Sequence, residues 1–465
     1  MRPARGCMLF MMSARATSRR EFLAASSLAA LASCIRPPSR PNIVYVMSDQ
    51  QHWRAAGYRD PFFETPAQDE LAKESFVFEH FFCSTPQCSP SRSSMFTGLY
   101  PSATGVMGNT GAAGGKDLSM ETFGPKLQRA GYATGYFGKW HLGGDPTANA
   151  GWDEEHKKID DAETTRRAVD FIARRAAEER PFALVASYLD PHDIYRFKRD
   201  MPKPVEADAP LPESWAKETF ENKPRVQLQF MTEDQGTAIW GAPRRVWEWY
   251  REYYRRKVKL FDDHLGRIVH ALRIAGAWEN TVLIVSSDHG DMDTNHRLIF
   301  KGPFMYEHMV RVPLLIRVPR AVGGAEPKVI ADFHSVNVDL APTILDFAGL
   351  PAGRVHGVSL KPLLTGGSVK PRDYVIGQYY SKQKWVNPIR MIRTPEFKYN
   401  HYILHGEELY DLKNDPDELV NLAGDAGYAE KKKELKAELD RWIKQNDDPF
   451  YSLHPTDRAG RRLPG

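Results

Sequence analysis

Ile43-Val44-Tyr45-Val46-Met47-Ser48-Asp49-Gln50 sets an unbroken apolar run directly before a polar triplet. A run this short, rich in β-branched and aromatic side chains and without polar alternation, predicts a strand buried on both faces, as the strands of parallel sheets are. Three later stretches repeat the pattern. Ala133 to Phe137 leads into Gly138-Lys139-Trp140-His141, Phe182 to Tyr188 into Asp190-Pro191-His192-Asp193, and Thr281 to Val285 into Ser287-Asp288-His289-Gly290-Asp291. Longer helical stretches separate them, which predicts an α/β fold with a large, mostly parallel sheet flanked by helices. Residues just beyond the carboxyl ends of such strands line one crevice, so the four polar clusters are expected to share one site.

Around these strands the chain has 465 residues, more than one simple core holds, and a formal net charge of +4 from 63 Lys and Arg against 59 Asp and Glu. That balance gives no footprint for nucleic acid, so any selectivity for anions has to be local. Residues 41–370 are expected to form the catalytic α/β domain. From 371 to 465 the texture changes to short aromatic and β-branched runs, Tyr374 to Tyr380, Ile389 to Ile392 and Phe397 to Leu404. With the turn Asn414-Asp415-Pro416 and a charged helix from Ala429 to Lys444, they predict a small antiparallel sheet closed by a helix. Tyr195 to Pro243 lacks periodicity and is too long for an ordinary connection; it reads equally as a lid or substrate-binding insertion, or as a solvated loop. Val246 to Ala271 returns to helical spacing, its basic residues read mainly as a solvated face in preference to a polyanion-binding patch.

The four cysteines, at 7, 34, 83 and 88, are too sparse for a disulfide scaffold. Ser18-Arg19-Arg20-Glu21-Phe22-Leu23 ahead of the short apolar run Leu23 to Ala32 resembles a twin-arginine export signal, and Leu31-Ala32-Ser33-Cys34 resembles a lipobox. Residues 1–33 are therefore expected to be a signal peptide and 34–40 a linker. The product would be periplasmic or cell-surface, handled by the twin-arginine machinery and attached to the membrane only through lipid on Cys34.

Cys88-Ser89-Pro90-Ser91-Arg92, followed by Thr97-Gly98, resembles the signature of type I sulfatases of the alkaline phosphatase superfamily. In that family a formylglycine-generating enzyme oxidises the cysteine to formylglycine. One hydroxyl of the aldehyde hydrate attacks the sulfur of a sulfate ester, and the other then collapses to release sulfate. The resemblance implies Asp49, Gln50, Asp288 and His289 as metal ligands together with residue 88, and Arg92 as the arginine that steadies it. Lys139 and His141 match groups at the hydrate and the sulfate, and His192 and Lys301 match groups at the sulfate and the leaving oxygen. The chemistry agrees: a divalent cation, Arg92, Lys139, Lys301 and the helix N-terminus expected at Cys88 would neutralise an anionic ester that otherwise repels nucleophiles. His192, with Lys301 beside it, is the expected proton donor to the leaving alcohol, and His141 the acceptor during collapse.

Many sulfatases carry two adjacent aspartates where this chain has Asp49-Gln50, so the pocket is expected to lack one negative charge and to hold a hard cation less strongly. Calcium is the expected ion, with manganese or magnesium next, and the expected substrate is a sulfated carbohydrate. Two other readings use the same residues: a formylglycine-dependent phosphonate monoester or phosphodiester hydrolase, and an inert lipid-anchored binding protein.

Overall fold

A computed structural model describes residues 40–144, 151–156, 158–202 and 209–464. The stretch carrying Arg19, Arg20 and Cys34 lies outside the described residues.

Eight strands form the main sheet: β1 (Asn42–Asp49), β2 (Phe76–Phe82), β3 (Ala133–Gly138), β4 (Glu154–His156), β5 (Phe182–Pro191), β6 (Thr281–Ser287), β7 (Leu314–Arg317) and β8 (Val329–Val336). Their order is β4-β3-β5-β1-β6-β7-β2-β8. The pairs β3–β5, β1–β5 and β1–β6 are parallel, and only β7 runs antiparallel to its neighbours β6 and β2. The four quoted apolar runs are thus β1, β3, β5 and β6, adjacent and co-directional at the centre of the sheet.

Period-two alternation sends successive side chains of β1 into two different cores. Ile43, Tyr45 and Met47 join Met95, Phe96, Leu127 and Ile344 on one face. Val44 and Val46 join Phe171, Ile172, Phe261 and Leu265 on the other. The second face is covered by α2 (Asp161–Arg175), capped by the Asp160 carboxylate accepting from the Glu163 N–H, and by α3 (Arg244–Ile274). The first carries α1 (Cys88–Thr97), which ends on Gly98 at a φ of 77°. An αL cap of this kind is what the glycine of Thr97-Gly98 supplies.

A second sheet, β9 (Val375–Lys382), β10 (Trp385–Arg393), β11 (Phe397–Tyr402) and β12 (Gly406–Asp411), is wholly antiparallel and is followed by α4 (Ala429–Gln445). It shares a core with the 195–310 region: Ile389, Met391 and Tyr399 pack with Phe230, Phe304 and Met309. Both sheets belong to the compact unit Arg40–Gly465.

One expectation needs correction. Tyr195 to Pro243 contains a helix, Arg225–Glu233, whose Val226, Phe230 and Met231 are fully buried. The stretch is therefore not a solvated loop throughout; three apolar residues within six positions are too few to reveal a period. The basic residues of α3 lie mainly at the surface, Arg256 and Arg267 exposed, while Arg251 is buried against Asp293 at 3.1 Å. Among the described residues no helix is long and apolar enough to cross a membrane.

Candidate active site

Four parallel strand ends and one helix N-terminus build the site. β1 ends in Asp49, β6 delivers Asp288 and His289, β3 delivers Lys139 and β5 delivers His192. β3 comes so close to β5 that a Cβ on Gly138, whose φ is 99°, would lie 1.9 Å from the Ser187 carbonyl oxygen. Glycine is required there, and the next residue, Lys139, is held in place by its N–H donating to Ser187 O at 3.0 Å.

Cys88 is the first residue of α1 and is fully buried. Its sulfur lies 2.9 Å from Lys301 Nζ, 3.2 Å from His289 Nε2 and 3.8 Å from Asp49 Oδ1, and His141 and His192 stand near enough to influence its ionisation. Burial opposes ionisation of this thiol, but Lys139, Lys301 and His289 outweigh it and hold it well below the usual thiol range. The sulfur marks the position that the hydrate oxygens of a formylglycine would take.

Arg92 is buried without exposure, and its donors go to protein groups. Nε bonds Asp288 Oδ2 at 2.8 Å, Nη2 bonds Asp49 Oδ2 at 3.3 Å, and Nη1 bonds Lys139 O at 2.6 Å and Ser187 Oγ at 2.9 Å. One guanidinium thus ties together β1, β5, β6 and the end of β3. It is joined to residue 88 through the Asp49 carboxylate, whose other oxygen lies 3.8 Å from the Cys88 sulfur. Lys139 Nζ pairs with Asp49 Oδ2. Burial and the Cys88 charge push the Asp49 carboxyl up, yet Lys139, His192 and Lys301 prevail and keep it below the usual carboxylate range.

Asp49, Asp288, His289 and Cys88 each turn one ligand atom toward a common point, all within 4.8 Å of one another. His289 Nδ1 is 2.9 Å from Gly290 O, so that nitrogen carries a proton and Nε2 is the ring atom turned toward the cluster. Gln50, at a φ of 75°, presents Oε1 to Lys301 Nζ at 2.9 Å, and the same ammonium lies 3.0 Å from His289 Nε2. Oxygen donors with a single imidazole nitrogen suit a hard divalent cation.

All the residues named from sequence therefore meet around Cys88. Three neighbours went unassigned there. Asn109 Oδ1 accepts from the Ser89 N–H at 3.0 Å and Thr110 N–H donates to Ser89 Oγ at 3.1 Å, fixing the first turn of α1; only their position in a glycine-rich stretch could have marked them. Tyr195 stacks between His192, at 4.9 Å, and Phe300, at 4.1 Å. His192 itself is drawn down to about 4 by burial and then by Lys301.

With this geometry in place the comparisons are specific. A family profile described as Sulfatase matches residues 41–350, and one described as N-sulphoglucosamine sulphohydrolase, C-terminal, matches 295–445. A delta 4,5-hexuronate-2-O-sulfatase of Bacteroides thetaiotaomicron is 30% identical over 460 residues, covering 92% of this chain and 93% of that protein. An N-acetylglucosamine-6-O-sulfatase of the same organism is 28% identical over 525 residues, covering 93% and 92%. The solved structure of a 2-O GAG sulfatase superposes with a TM-score of 0.80 at 27% identity, covering 92% of this chain and 97% of that one. The chain belongs to the sulfatase family and is a sulfuric ester hydrolase.

Proposed function

We propose that this sulfatase removes a sulfate ester from a saccharide, with Cys88 converted to formylglycine and one divalent cation, calcium first, held by Asp49, Gln50, Asp288 and His289 beside residue 88. The observation that carries the reading is the placement of Cys88: at a helix N-terminus, touching Lys301 and His289, on the rim where Asp49, Asp288, Lys139 and His192 converge. Formylglycine supplies a geminal diol, one hydroxyl of which displaces the alcohol at sulfur while the other later expels the sulfate, and the cation supplies charge for the sulfate oxygens. The remaining work falls to side chains.

Lys139 and Lys301 offset the negative charge of the ester in a buried setting, where fixed cations act most strongly. At rest His192 is neutral near pH 7; an entering sulfate supplies the anionic neighbour that raises its proton affinity, so it takes up a proton with the substrate and passes it to the leaving oxygen. Lys301 stands ready for the same transfer, and His141, near residue 88, accepts the proton when sulfate departs.

The names of the similar proteins point to glycosaminoglycan-type saccharides, and a 2-O-sulfated Δ4,5-hexuronate disaccharide is the substrate to test first. Two measurements decide. The mass of the peptide containing Cys88, from a host with a formylglycine-generating enzyme, should show conversion of cysteine to the aldehyde. Turnover should favour the sulfated disaccharide over matched phosphonate and phosphodiester substrates; the reverse order would identify the hydrolase alternative, and no turnover with unconverted Cys88 would favour a binding protein. The N-terminal segment supports export by the twin-arginine route with lipid on Cys34, and changing Arg19 and Arg20 to Lys should strand the protein in the cytoplasm.

A further inference from the structure

The charge that Gln50 lacks stands immediately behind it. Gln50 Nε2 donates to Asp291 Oδ2 at 2.6 Å, and Asp291 is fully buried. The other carboxylate oxygen, Oδ1, accepts from the Asp293 N–H at 2.7 Å and from Tyr250 OH at 3.3 Å. On the far side of the amide, Gln50 Oε1 faces Lys301 Nζ at 2.9 Å. An ammonium has no acceptor and a carboxylate no donor, so both ends of the amide are assigned without ambiguity. Tyr254 OH, donating to Gln50 O at 2.8 Å, fixes the backbone from which the side chain projects.

We infer that Asp291 is a positioning residue for the cation site: it fixes the Gln50 amide so that oxygen, and not NH2, faces the ligand cluster, and it returns to the site the negative charge that an aspartate at 50 would have carried. The inference rests on the cation reading above. It revises the expectation of a weaker pocket, because the carboxylate is moved back by one side chain and remains in the site.

Asp291→Asn isolates the effect. The donors from Asp293 and Tyr250 hold the carbonyl oxygen of the new amide where Oδ1 now sits, which turns its NH2 toward Gln50. The Gln50 amide must then invert, directing its own NH2 at the cation. Calorimetric titration of the full chain with calcium chloride and with manganese chloride should show affinity falling by about 10- to 100-fold, the range for groups that orient metal ligands. The double variant Gln50→Asp/Asp291→Asn restores the carboxylate at 50 and lets the NH2 introduced at 291 donate to it. It should recover affinity to within about tenfold of wild type.

The titration requires neither turnover nor conversion of Cys88. Wild-type protein that binds neither ion would overturn the cation reading and this inference with it. Unchanged affinity in Asp291→Asn would overturn the inference alone, as would a folded double variant that fails to bind. If Asp291→Asn does not fold, the double variant decides by itself; its failure to fold would also overturn the inference, since it keeps the charge count held to be sufficient.

Discussion

Two regions of this molecule bury several charges each, and they use them differently. In the seam between the sheets, Lys398 Nζ sits 2.8 Å from Glu307 and 2.7 Å from Glu418, with Arg393 and Arg311 3.4 Å and 3.7 Å from Glu307. Each charge there has opposite charges as its partners. Around Cys88, Arg92 and Lys139 are likewise paired, but among the described residues Lys301 Nζ has Gln50 Oε1, Cys88 and His289 as its hydrogen-bond partners and no carboxylate, and His141 Nδ1 is buried without a partner. The seam is closed on itself and serves the fold; at the rim Lys301 is balanced by no carboxylate and faces residue 88.

The sharpest way to break the comparison is at the nucleophile. Cys88→Ala should lower kcat/KM by at least about 10⁴-fold in a protein that still folds, because the nucleophile is lost while the pairs of Arg92 and Lys139 with Asp49 and Asp288 are kept. Retained turnover by the purified variant would sink the formylglycine mechanism.

Lys301→Met and Lys398→Met set rim against seam directly. The first should cost about 10²- to 10³-fold in kcat/KM, as losing one preorganised cationic partner does. The second leaves Glu307 and Glu418 buried with their lysine gone, and should cost about 3–5 kcal/mol of stability with kcat/KM of the folded fraction little changed. Urea unfolding beside steady-state kinetics reads both; if the two variants behaved alike, the distinction between regions would fail.

Cation binding sharpens the same contrast. Calcium at about 100 times its dissociation constant should stabilise wild type by about 2.7 kcal/mol, and excess chelator should remove that gain together with activity. Asp288→Asn should abolish the calcium-dependent shift in melting temperature, whereas Lys398→Met should retain it from a lower baseline.

The smallest effect belongs to the seam and to pH. His334 stacks on His80 at 4.6 Å and lies 2.6 Å from Arg393, and burial followed by Arg393 draws it down to about 4. Its folded-state proton affinity lies below the unfolded value of about 6.5, so its stabilising contribution is present above that pH and is lost as pH falls toward 4. The urea midpoint of wild type should therefore fall between pH 7 and pH 5 by more than that of His334→Gln. An equal fall would show that His334 takes up its proton as easily in the fold as outside it.

Much of the site could be read in advance because it sits at strand ends. Asp49, Lys139, His192, Asp288 and His289 each follow a short apolar run, and a parallel sheet delivers the carboxyl ends of neighbouring strands to one crevice. Asn109 and Asp291 carry no such local mark. Asp291 was visible inside Ser287 to Asp291, yet its partner is 241 positions away, and neither spacing nor residue type announces that pairing. The helix Arg225–Glu233 escaped for a related reason: its buried face is defined by Phe304 and by Gln227 donating to Glu408 at 2.7 Å, not by a period of its own.

The sequence alone determined which runs become the central strands, because short-range pattern and backbone preference act over a few residues, and its resemblance to the sulfatase signature named the candidate nucleophile and the side chains that ring it. Tertiary structure decided how those side chains are used: that Arg92 is consumed as an internal clamp, that the Gln50 amide has a fixed sense, and that the missing carboxylate stands at 291. Those outcomes depend on which groups meet across hundreds of residues inside a low-dielectric core. There every donor and charge must find a partner, and only the packed fold specifies which one.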